Sequence, residues 1–237
     1  MTKTAQFQLP LVAPAQAQKH VTVNEALARL DALAQLRVVA ADVSSPPVTT
    51  VEGAGYLVPD GATGDWDSRA GQIAIWSNGG WVFVAPRPGW RAWDESRFAS
   101  IVFDGAGWVA DASAISLVGA STQTRVLEFE HAISTGNENT TSAAIPAGAQ
   151  VLGVTGRVTA AISGTLTGWR VGVAGSDNRY GSGLGLGLNS YLAGLSGSPV
   201  TYYSDTPLLL SAEGGSFSGG SLRLALHLTE LVPPRPV

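Results

Sequence analysis

The alternation of apolar and polar positions is sharpest in SLRLALHLTEL. Leu222, Leu224, Leu226 and Leu228 fall on one face, and Arg223, His227 and Thr229 on the other. That period of two predicts a half-buried strand. QVLGVTGRVTAAI repeats it, with Val154, Val158 and Ile162 opposed to Thr155, Arg157 and Thr159. WRVGVAG brings Trp169, Val171 and Val173 together, and PLLLSAEGG and VTYYSD add further strands. In GSGLGLGL (Gly181 to Leu188) the glycines also alternate, which suits a strand better than a dinucleotide-binding loop. Seven or eight short strands with glycine turns predict an antiparallel β-sandwich over residues 125–237. The tail VPPRPV should be extended.

Near the N-terminus the period changes. Val23, Ala26, Leu27, Leu30, Leu33, Ala34 and Leu36 recur at helical spacing. Thr22 followed by Glu25 has the form of a capping box. A helix of about four turns is expected, ending near Val38 to Ala41. So short a helix needs a partner, either the sheet behind it or copies of itself from other subunits. Residues 1–20 read as an extended arm with Pro10 and Pro14. Those prolines interrupt the apolar run and the basic region is a single lysine, which favours a mature arm over a cleaved signal.

Between these regions lie short strands with sharp turns at Asn78-Gly79-Gly80 and Asp104-Gly105. Ile75 to Val82 matches Val102 to Val109 at an offset of 27 residues. Each copy reads apolar, aromatic, turn, Gly, Trp, Val. A tryptophan recurring at one place after each turn predicts that Trp81 and Trp108 cover the sheet, with Trp76, Trp90 and Trp93 also structural. The fold class is therefore mainly β. A short N-terminal arm and helix (1–45) precede a small Trp-rich β-hairpin module (46–110), a linker (111–124) and the C-terminal sandwich (125–237).

Composition changes this picture in one respect. Charged residues are only 14%, against about 25% in an ordinary soluble domain, and the only lysines are Lys3 and Lys19. Burial of so bland a surface between subunits predicts a homo-oligomer. No basic cluster exists, so nucleic acid is not an expected partner. No apolar run is long enough for membrane insertion by a helix.

The search for chemistry points to a non-enzyme without cofactor or metal. The sequence lacks a GxSxG elbow and a Walker A motif. His20, His131 and His227 lie far apart, and Asp60, Asp65 and Asp67 depart from calcium-loop spacing. Acids are scarce in the second half. What remains is a polar-aromatic mix suited to carbohydrate. Asp177, Asn178, Arg179 and Tyr180 crowd one apparent loop, and Asn189, Tyr191, Tyr202 and Tyr203 occupy others. Asp and Asn are also ordinary turn formers, and tyrosines also pack.

LPLVAPAQAQKHVTVNEALARLDALAQLRV, GYLVPDGATGDW, GQIAIWSNGGWVFVAPRPGWRAWDE and IVFDGAGWV occur in that order over about the first 110 residues. In this the chain resembles a domain of formally unknown function found in fibre and spike proteins of tailed phages and of alphaproteobacterial gene transfer agents. The second half resembles, less specifically, the β-domains attached to that family. The resemblance implies a head spike or tail fibre on the surface of a phage-like particle, whose distal part adheres to cell-surface polysaccharide such as capsule. Partners would be capsid or tail proteins and copies of the chain, in a trimer. On this reading Phe7, Leu9, Leu11, Leu27 and Leu30 attach or oligomerise the subunit. A polysaccharide depolymerase and a purely structural decoration protein are the alternatives. The family motif transfers no catalytic residue.

Overall fold

The structure, a computed structural model, describes residues 3–12 and 19–236, so Pro14 of the arm lies outside the described residues. The chain forms two compact units, Met1–Gly119 and Ala120–Val237. The fold is mainly β with one short helix near the N-terminus, as the periodicities indicate.

In the first unit, helix α1 (Lys19–Ala34) begins upstream of the expected capping box, so Thr22 and Glu25 lie within it rather than at its start. It also ends earlier than expected. Arg37–Val38 (β1) is already a strand, pairing in parallel with Arg91–Asp94 (β5). Strands Ala99–Phe103 (β6) and Trp108–Ala110 (β7) complete the sheet β1-β5-β6-β7. A second, antiparallel sheet joins Gly55–Leu57 (β2), Ile73–Ser77 (β3) and Gly80–Val84 (β4). Its middle strand is buried on both faces. Ile73 and Ile75 enter one core with Leu36, Val38, Ala92 and Ile101, while Ala74 enters another with Tyr56 and Trp66. The first core holds residues on both sides of the boundary expected at 45/46, so arm, helix and hairpins belong to a single unit. The expected linker 111–124 is also structured. It holds strand Ala112–Ile115 (β8) and the start of the next strand.

Both hairpins of the internal repeat form. Trp76 pairs with Trp81 across β3–β4, and Phe103 with Trp108 across β6–β7. In each, the two rings touch, with centroids 5.1 and 5.4 Å apart. Asn78 and Gly79 both have positive φ, 52° and 79°. That is the backbone an Asn-Gly hairpin turn supplies at little cost.

Among the described residues the second unit has eight strands: Ser121–Ala132 (β9), Glu138–Ile145 (β10), Gln150–Gly164 (β11), Gly168–Val173 (β12), Ser176–Leu184 (β13), Tyr191–Thr201 (β14), Thr206–Glu213 (β15) and Phe217–Val232 (β16). Their antiparallel pairing is nested: β9 with β16, β10 with β15, β11 with β14, β12 with β13. Two further ladders, β11–β16 and β12–β15, join the pairs into sheets ordered β14-β11-β16-β9 and β10-β15-β12-β13. Except at the β12–β13 hairpin, every pair of successive strands switches sheets. This is a jelly roll, which sharpens the expected sandwich. The leucines of β16 at 222, 224, 226 and 228 fill its core with Val154, Val158, Val171, Leu208 and Leu210. Gly194 of β14 lies against β13, and a Cβ there would sit 1.9 Å from the Tyr180 carbonyl oxygen.

Candidate functional site

The described part of the N-terminal arm is not extended. Residues 3–10 fold back on themselves, with Lys3 bridging Pro10, and close onto a buried carboxylate of α1. Thr4 Oγ1 donates to Asp31 Oδ1 at 2.7 Å, the Gln6 amide donates to Oδ2 at 2.6 Å, and the Phe7 amide also donates to Oδ1. Burial alone would raise the Asp31 pKa. The Gln6 and Phe7 amides and the Thr4 hydroxyl outweigh that and hold it below the ordinary aspartate value. Sequence reading missed Asp31. Its signal is an acid on the otherwise apolar side of the helix. Of the residues assigned to attachment, Phe7 and Leu30 are exposed, whereas Leu9, Leu11 and Leu27 are half-buried. Val23 and Ala26 are exposed beside Leu30, leaving an apolar stripe along α1 open to solvent.

The aromatic module is scaffold. Trp66 is fully buried and its ring packs against Tyr56 and Trp81. One pair departs from this pattern: Trp93 and Phe98 are both exposed, in edge contact at 5.0 Å, and Phe98 sits at φ 52°.

In the jelly roll the eight expected sugar-contacting residues do not converge. Asp177 to Tyr180 are not a loop; they belong to β13, directly after its hairpin turn. Asp177 pairs with Arg170 on β12 at 2.9 Å, while Asn178 and Arg179 are exposed. Tyr180 is buried. Its hydroxyl bonds to that of Tyr202 at 2.8 Å, and burial with this bond raises its pKa far above the usual phenol value. Tyr180 is therefore a core residue, although Asn178 and Ser182, two positions to either side, are exposed. Tyr202 and Tyr203 lie beyond one end of β14 and Tyr191 at the other, about 26 Å apart measured along the paired residues of β11. Tyr203 and Tyr191 are both largely exposed. Asn189 has φ 69° and forms the turn before β14.

The register instead assembles a site on the solvent face of the β14-β11-β16-β9 sheet. One row across the strands reads Tyr191, Arg157, Arg223, Glu130, and the next reads Ala193, Thr155, Ala225, Glu128. The second row is short-chained until Glu128, so it forms the floor of a groove of about 420 Å³ walled by Tyr191, Arg157 and Arg223. Arg223 Nη2 lies 2.6 Å from Glu130 Oε1, and Glu128 Oε1 lies 3.9 Å from its Nε. The hydrogen bond to Glu130, with the charges of Glu130 and Glu128, raises the Arg223 pKa. Arg157 Nη1 donates to the Asn189 carbonyl at 3.0 Å. Thr155 Oγ1 lies 3.0 Å from His227 Nε2. The arrangement offers an open aromatic ring, hydroxyls and charges of both signs on a rigid floor. Among the described residues no cluster of three His, Cys, Asp or Glu side chains could hold a metal.

Residues 23–109 match a family described as "Protein of unknown function (DUF2793)". The matched stretch runs from within α1 into β7. No curated protein matches the chain. Among solved structures, a chain of the cyanophage Pam1 capsid asymmetric unit is similar at 26% identity, over 47% of this chain and 84% of that one, with a TM-score of 0.33. No helix among the described residues is long and apolar enough to cross a membrane.

Proposed function

We propose that this chain is a structural spike or fibre subunit of a phage-like particle, and that its jelly roll adheres to cell-surface polysaccharide without catalysing a reaction on it. The groove on the β14-β11-β16-β9 face carries the reading. Sugar recognition pairs an aromatic surface with fixed planar hydrogen-bonding groups, and Tyr191, Arg157 and Arg223 supply both. Jelly rolls also serve as lectin and viral capsid domains, an argument from fold analogy. The particle assignment rests on the resemblance of the first 110 residues to phage and gene transfer agent fibres, together with the family match at residues 23–109. The exposed stripe of Val23, Ala26 and Leu30 supports self-association through α1, in a trimer or another closed oligomer. Display of several copies would convert weak single-site binding into avidity.

The test is retention of the full-length protein on encapsulated cells and on otherwise identical cells lacking capsule. Binding restricted to encapsulated cells is expected; equal binding to both, or none, overturns adhesion. Incubation with purified capsule should leave its chain length unchanged, and shortening would replace this reading with a depolymerase. Sedimentation velocity should show an oligomer that Leu30→Asp weakens. A monomer at all concentrations would remove the self-association.

A further inference from the structure

Arg157 and Arg223 are direct cross-strand neighbours on β11 and β16. Like charges opposite one another destabilise a sheet unless something neutralises them. Glu130 neutralises Arg223 from the other side. The polar contact of Arg157 is a carbonyl, that of Asn189, and a carbonyl carries no compensating charge. The row thus holds two guanidiniums and one close carboxylate, with the uncompensated cation beside the open Tyr191 ring. Glu128 lies two strands from Thr155 across the floor, about 9.6 Å away. The groove is therefore polarised, cationic and aromatic at one end and acidic at the other.

Resting on the adhesion reading above, we propose that this groove selects acidic glycans. A sugar carboxylate bonds to the Arg157 guanidinium, the same sugar's apolar face rests on Tyr191, and hydroxyls of the next residue reach Thr155 and Glu128. Arginine suits this task because its planar fork matches a carboxylate and stays charged at any physiological pH. Neutral glycans leave Arg157 uncompensated and bind more weakly. Thr155 is held by His227, so its hydroxyl is fixed before the ligand arrives. Ala193 and Ala225 keep the floor low enough for a ring to lie between the walls.

The experiment applies the full-length protein to an array of acidic and neutral bacterial surface polysaccharides, including acidic samples whose carboxyl groups have been chemically reduced. Three variants are compared with the wild type: Arg157→Ala, Ala193→Trp to fill the groove from its exposed edge strand, and Arg179→Ala on the other sheet as a control. Thermal melting shows that each is folded. We expect binding to acidic polysaccharides, loss on carboxyl reduction, a fall of about tenfold or more with Arg157→Ala, and loss with Ala193→Trp. Arg179→Ala should change nothing. Binding that survives carboxyl reduction or both groove variants overturns the proposal and leaves adhesion standing. Absence of binding to any polysaccharide overturns adhesion and this proposal together. Dissociation of an oligomer by Ala193→Trp, with glycan binding per subunit unchanged, would make the face a contact between copies and also overturn the proposal.

Discussion

The two units solve the same problem with different side chains. Strands of the N-terminal unit are at most five residues long, and one of its two cores is built around rings, with Trp66, Tyr56 and Trp81 in mutual contact. Strands of the jelly roll reach 15 and 16 residues, and its core is largely leucine, valine and isoleucine. A short strand offers few inward positions, so each must bury much apolar area, and an indole does that. A long strand repeats its inward position many times, so modest side chains suffice. The first solution concentrates stability in a few residues and the second distributes it.

The largest expected effect tests that concentration directly. Trp66→Ala should destabilise the N-terminal unit by about 3–5 kcal/mol, because the ring is fully buried and its neighbours cannot close the space. Hydrogen exchange on the full chain should show β2–β4 losing protection while β11 and β16 keep theirs. The reciprocal change, Leu226→Ala, should cost about 2–5 kcal/mol in the jelly roll and leave the N-terminal amides alone. Coupled loss of protection in both units after either change would show that they do not unfold separately. Tyr180→Phe comes next. It removes the bond to Tyr202 and should cost about 1 kcal/mol by chemical denaturation, with no effect on glycan binding. A binding defect there would return Tyr180 to the ligand site.

The smallest effect is pH-dependent. Asp31 has its pKa lowered in the folded chain, so its bonds to the arm stabilise the fold above the ordinary value of 3.8 and that contribution is lost as pH falls through the lower folded value. Exchange of the Gln6 and Phe7 amides should accelerate in that acid range, and Asp31→Asn should abolish the dependence. Unchanged exchange across the same range would show that the carboxylate does not hold the arm.

Much of this architecture is legible in the residues. The leucine alternation of β16 and the Asn-Gly turn at 78–79 describe local backbone, and local backbone follows local sequence. The repeated aromatic-turn-Trp pattern also gives the cross-hairpin ring pairs. The start of α1 is not legible, because Thr22-Glu25 has the chemistry of a cap and yet lies inside a helix that begins upstream. The groove was hidden for a different reason. Thr155 and Arg157 face outward with Arg223 by simple alternation, yet their adjacency depends on ladders joining positions some 65 residues apart in sequence. Proximity of that kind is set by the nested pairing, which no single segment encodes. Tyr180 illustrates a related limit: Asn178 and Ser182, which alternation would place on its face, are exposed, and the shifted register between β12 and β13 hides its burial from the sequence.

The long β9–β16 ladder has one more consequence. Ser121 stands directly opposite Val232, so the backbone begins and finishes this unit side by side, at one end of adjacent strands. A body with that plan behaves as a cassette. It can be spliced into another polypeptide, or exchanged for a homologous one, through a single short seam, while its eight-strand interior stays untouched. On the adhesion proposed above, altered recognition would require a swap at one junction instead of redesign of the whole molecule.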